Sequence, residues 1–160
     1  MPLRLCYWLE HVPWIVTVNS SAGEISIVWL VHYLGIFLLV GMMVFVDLRV
    51  LGLAARRQSI GQLSGYLFPW AWMGFAMVIP TGFIMFAGQA TIFYPDPGFR
   101  IKMVELLIAL VVGIIVQRKI PQWDRLPVIP AQAKLLAAVS LVLWIGAILA
   151  GLEVPAFLPI

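Results

Sequence analysis

His32 is the residue of this chain best equipped for chemistry. It stands alone in an uncharged stretch between Glu24 and Asp47, so its imidazole needs a partner for each ring nitrogen. A histidine so placed can ligate a metal or a haem iron, or pass a proton. Gly35 follows one turn on along the same face, leaving a notch for a flat cofactor or for the backbone of a neighbouring helix. Thr81 falls at matching depth in the next apolar stretch and can hold one imidazole nitrogen, with Met77 and Met85 one turn to either side. His32 with Met85 would make a His–Met axial pair or a soft copper(I) site. His11, folded back over the outer mouth, is the other candidate second ligand. Glu105, three residues beyond Lys102, can pair with it, and a carboxylate near a histidine can relay protons or meet a quinone head group. With Gln89, Tyr94 and His32 the two would form an outer polar layer.

Each of these residues also has a structural reading. A neutral histidine can be hydrogen-bonded inside a bundle, methionine is a flexible core filler, and a Lys–Glu pair can anchor a helix end. Asp47 and Arg49, two apart, point to different sides of a helix. Asp47 is therefore expected to take bonds from Trp70, Trp72 or Arg56 and to lock the inner surface. No nucleophile–base set, phosphate-binding glycine loop, HExxH helix or CxxC pair occurs, which argues against a hydrolase or nucleotidase. The single cysteine, Cys6, excludes an intrachain disulfide and a cysteine-held cluster.

The elements that must position these residues follow from composition. Of 160 residues 63% are apolar and only 11% charged, too much apolar surface for a small water-soluble domain to bury. The fold class expected is all-α and integral to the membrane. It is an antiparallel bundle of four transmembrane helices at about 25–47, 65–88, 99–118 and 133–152, each near the roughly 20 residues a bilayer requires. Residues 1–24 are too broken by Glu10, His11 and Pro13 for a signal peptide, and with Trp8 and Trp14 they read as a short interfacial segment. Residues 25–160 would then be the transmembrane domain. Pro69 and Pro80, with Gly74 and Gly82, predict a kinked second helix closely packed on its partners. Pro121 should end the third. The fourth is nearly free of polar residues and is expected to face lipid or a partner, leaving helices one to three as the polar interior.

Arg49, Arg56, Arg57, Arg118, Lys119, Arg125 and Lys134 flank the first-to-second and third-to-fourth connections, against Arg4, Arg100 and Lys102 on the other side. The positive-inside rule then puts both termini outside the cytoplasm. A net charge of +3 distributed in this way reads as topology and not as a nucleic-acid footprint.

The string His32-Tyr33-Leu34-Gly35, then Gly41, then Asp47 to Leu53, continued by Pro69-Trp70, Gly74-Phe75, Thr81-Gly82-Phe83, Phe99 and Lys102, resembles a family of small bacterial four-helix inner-membrane proteins of unknown function. The likeness covers most of residues 26–110. It implies a bacterial inner-membrane location with periplasmic termini. A looser likeness is to membrane b-type cytochromes and copper-resistance membrane proteins, from which the chain departs in offering one intramembrane histidine where two haem ligands are needed. The functional expectation is an integral membrane subunit of a larger complex. It is either a redox subunit with haem b or a quinone near His32, or a non-catalytic structural or assembly subunit. Transport of a small solute or metal ion is a third alternative. The partners expected are the bilayer, other membrane subunits or further copies of the chain, and no nucleic acid.

Overall fold

A computed structural model describes residues 2–153, so the tail of the expected transmembrane domain and the C-terminus itself lie outside the described residues. Every regular element is helical: α1 Pro2–Glu10, α2 Pro13–Ser20, α3 Ala22–Leu51, α4 Ile60–Ala87, α5 Ala90–Phe93, α6 Pro97–Trp123 and α7 Ala131–Glu153. Among the described residues there is no strand. Local chemistry sets the ends. Ser21 caps α3 by accepting from Glu24 N–H, and Ser59 caps α4 by accepting from Gln62 N–H at 3.1 Å. Asp96 caps α6 by accepting from Phe99 N–H at 2.6 Å, just before Pro97. Each cap satisfies a backbone donor that has no intrahelical partner. Gly52 closes α3 in the left-handed region (φ 80°), which glycine adopts without steric cost.

α3, α4 and α7 are long and apolar enough to cross a membrane, at 30, 28 and 21 residues of suitable composition. α6 is as long, at 27 residues, but carries Arg100, Lys102 and Glu105 near its start and Arg118 and Lys119 near its end. It does not stand with the other three on composition. The first apolar helix begins at Ala22 and not near residue 25, because Ser21 caps it directly after α2. The expected interfacial segment is two short helices. α1 is tied to α5 by Glu10, whose Oε1 accepts from Thr91 N–H and Thr91 Oγ1 at 2.7 Å each. Leu3, Leu5, Trp8 and Trp14 stay exposed.

α3 and α4 share the most extensive interface, and α7 packs on both α3 and α6. The core runs through Leu39, Met43 and Val46 of α3, Phe68 of α4, Val116 of α6 and Trp144 of α7. The outward faces present Ile27, Leu30, Phe37, Leu107, Leu135 and Val142, a surface suited to hydrocarbon.

Two expectations are corrected here. α7 is not peripheral: Ala133, Ala137, Ser140, Trp144 and Ala147 are buried. The small side chains among them, three or four residues apart on one face, let its backbone approach α3 and α6 without polar adhesion. Pro121 does not end α6, which continues to Trp123. A proline this close to the terminus removes one ladder bond, and Asp124 N–H still reaches Ile120 O at 2.9 Å beyond it. Pro69 and Pro80 lie within α4, which is one helix from Ile60 to Ala87, and its expected close packing is present at Gly74 against Gly35 and Leu39.

Candidate functional site

The His32 site is built where α3 crosses α4. Gly35 and Gly74 meet there: a Cβ on Gly74 would lie 2.5 Å from Leu39 N and 2.6 Å from Gly35 O. A Cβ on Gly35 would lie 2.9 Å from Met77 Cβ and Val78 Cγ2. The notch beside His32 is therefore filled by the backbone and first side-chain atoms of α4, the second of its two expected occupants. One turn toward the N-terminal end of α3, His32 Nδ1 lies 2.9 Å from Thr81 Oγ1. The Thr81 hydroxyl donates its one proton to the carbonyl of Met77 at 2.6 Å. It must then accept from His32, which assigns the imidazole proton to Nδ1 and leaves the lone pair on Nε2. The ring lies over Gly82, where a Cβ would come within 3.1 Å of Cε1. Any larger residue would push the imidazole off Thr81.

The remaining expected site residues are not gathered around this ring. Met85 is half-buried one turn beyond Thr81 on α4. Glu105 turns to α7, where a Cβ on Gly146 would overlap its Oε1. Lys102 lies beside Gly151, its Nζ 3.4 Å from where a Cβ there would sit. The expected Lys102–Glu105 pair is thus replaced by two separate contacts with α7, because glycines on that helix leave room for both long side chains. His11 is held at the end of α1 by the carbonyl of Tyr7, 2.7 Å from its Nδ1, with its ring 4.1 Å from the tyrosine ring. Among the described residues no three His, Cys, Asp or Glu side chains form a metal-holding group.

Asp47 also departs from expectation. It is fully buried, yet Trp70 is exposed, Trp72 Nε1 donates to Gln117 Oε1 at 3.2 Å, and Arg56 Nε donates to the carbonyl of Gly52. Arg49 spends Nε and Nη2 on the carbonyl of Gln58, at 2.9 and 2.6 Å. Trp72 and Arg56 are thus engaged elsewhere, and Asp47 receives no bond from Trp70. The carboxylate faces Ser140 of α7 instead, outside hydrogen-bond geometry.

A third feature was not anticipated. Among the four long helices, α4 and α6 share a smaller interface than α3 with α4, α6 with α7 or α3 with α7, and a groove of two adjoining cavities opens between them. The first is a narrow apolar pocket walled by Phe68, Ala71, Phe75, Leu110 and Trp144. The second is wider, lies toward the Arg-rich end and is lined by Gly61, Ser64, Gly65, Pro121, Asp124 and Arg125. Phe68 and Gln117 line both. The Gly61-x-x-x-Gly65 spacing was visible in the sequence and is the one signal by which this groove could have been sought.

No protein-family description, curated protein or solved structure matches the chain.

Proposed function

We propose that the protein is a non-catalytic integral membrane subunit that works by association, and that its docking face is the groove between α4 and α6. The carrying observation is that this one flank of the bundle is left open, lined at its wider end by Gly61, Ser64 and Gly65. A Cβ on Gly65 would meet nothing within 4 Å. Gly61 is already packed on Asp124 of α6 and Ser64 is buried, so Gly65 is the residue at which a second helix could approach closely, and close packing of that kind drives helix association in lipid. The occupant proposed is α4 of a second copy, crossing about a two-fold axis near Gly65.

In this reading α6 is the fourth span: its charges lie toward its two ends, and Leu106 to Val116 between them carries none. Both termini face the periplasm of a bacterial inner membrane, as the arginine distribution and the family resemblance imply. His32 serves as a polar lock between α3 and α4. What favours this over haem b or a quinone at His32 is the filled notch at Gly35 and the capture of Nδ1 by Thr81.

The test is disulfide trapping in lipid, in a Cys6→Ser background. An isologous crossing brings Gly65→Cys next to its own copy, so oxidation should yield a covalent dimer, whereas Leu30→Cys on the outward face of α3 should not. No dimer at position 65, or equal trapping at position 30, contradicts the docking face.

A further inference from the structure

The seam between α3 and α7 holds a second polar site, independent of the docking face. Among the described residues, the buried side-chain nitrogens and oxygens without a hydrogen-bond partner are Asp47 Oδ1, Asp47 Oδ2, Ser140 Oγ and Trp144 Nε1. Asp47 and Ser140 lie on α3 and α7, which pack together, whereas Trp144 also borders the cavity beside Gly113 of α6. Asp47 and Ser140 are 0% exposed and Trp144 is 2% exposed. Asp47 lies one turn from the inner end of α3, and Trp144 follows Ser140 by one turn on the same face of α7.

A carboxylate sealed at this depth needs a cation, and the cations are elsewhere. Arg49 and Arg56 are bound to the carbonyls of Gln58 and Gly52. Arg118 and Lys119 on α6 are exposed. Lys134, the one basic residue of α7, stands nearly two turns before Ser140. Two neutral donors, a hydroxyl and an indole N–H, do not compensate a full charge in a low-dielectric interior, where such a group instead takes up a proton.

We infer that Asp47 and Ser140 form an internal proton-binding site, in which Asp47 is held as a carboxylic acid whose O–H turns to Ser140 Oγ. The proton comes from water: hydronium gives it to the carboxylate and leaves as water. The neutral acid leaves no unpaired charge in the seam.

Infrared difference spectroscopy of the full chain in lipid at neutral pH tests this, as wild type minus Asp47→Asn. The expected result is a protonated-carboxyl C=O band absent from the variant, shifted by deuterium exchange and moved upward by Ser140→Ala. Asn is isosteric with the neutral acid, so the unfolding rate of Asp47→Asn should stay within about twofold of wild type. If that variant does not fold, ¹³C-aspartate solid-state NMR of wild type reads the same carboxyl directly. Carboxylate signals alone overturn the proposal. So does conversion of the acid band to a carboxylate on adding sodium or potassium, which would make the site a cation site. A band unmoved by Ser140→Ala overturns the assignment of Ser140 as its partner.

Discussion

Gly74→Ala is the substitution that most sharply probes the α3–α4 crossing on which the His32 lock depends. The added methyl would stand 2.5 Å from Leu39 N, 2.6 Å from Gly35 O and 2.9 Å from Leu38 Cβ. Two of these are backbone atoms and cannot swing aside, so the helices must separate by about 1 Å to reach ordinary contact distance. Overpacking of this kind costs about 1–3 kcal/mol, offset by the roughly 0.5–1 kcal/mol that alanine gains over glycine within a helix. A net loss of about 1.5 kcal/mol is about a tenfold change in the unfolding equilibrium. Gly41→Ala is the matched control: it lies in the same helix as Gly35, and its Cβ would meet nothing within 4 Å. It should be neutral or stabilising by up to about 1 kcal/mol. Unfolding of both variants in mixed micelles, followed by tryptophan fluorescence, gives the comparison. Equal stability of Gly74→Ala and wild type, or an equal loss at both positions, would refute the close crossing.

Thr81→Val removes the acceptor of His32 Nδ1–H and should cost about 0.5–1.5 kcal/mol, read in the same unfolding assay; a gain in stability would count against the lock. Glu10→Gln should weaken the two bonds to Thr91 and expose α1 to limited proteolysis, while leaving the resistance of α3 and α4 unchanged. Impermeant thiol reagents applied from the periplasm should modify Gly98→Cys and spare Ser59→Cys in a Cys6→Ser background; the reverse pattern inverts the topology. The purified protein should show a featureless visible spectrum, and a Soret band lost in His32→Ala would restore the haem reading.

The helices were legible because their signals are local. Ser21, Ser59, Asp96 and Gly52 mark ends through chemistry that reaches only three or four residues, and a charge-free apolar run shows a spanning helix directly. The pairing of His32 with Thr81 was also readable, since depth along two antiparallel helices can be counted from their ends. What escaped was the choice of neighbours. An apolar helix gives no sign of which face it buries, so α7 looked peripheral until its small residues proved to be the side against α3 and α6. Glu105 could be placed near His32 by depth alone, yet the glycines of α7 draw it the other way. The partners of Asp47 were misjudged for a related reason. Backbone carbonyls at the end of α3 and in the following loop claim Arg49 and Arg56, and such carbonyls carry no mark in the sequence.

The most direct test of the subunit reading is native mass spectrometry of the protein released from mild detergent. The expected result is an assembly of twice the chain mass, carrying no prosthetic group and reverting to single chains in Gly65→Leu. A single chain, or a chain whose excess mass matches a bound haem, would contradict it.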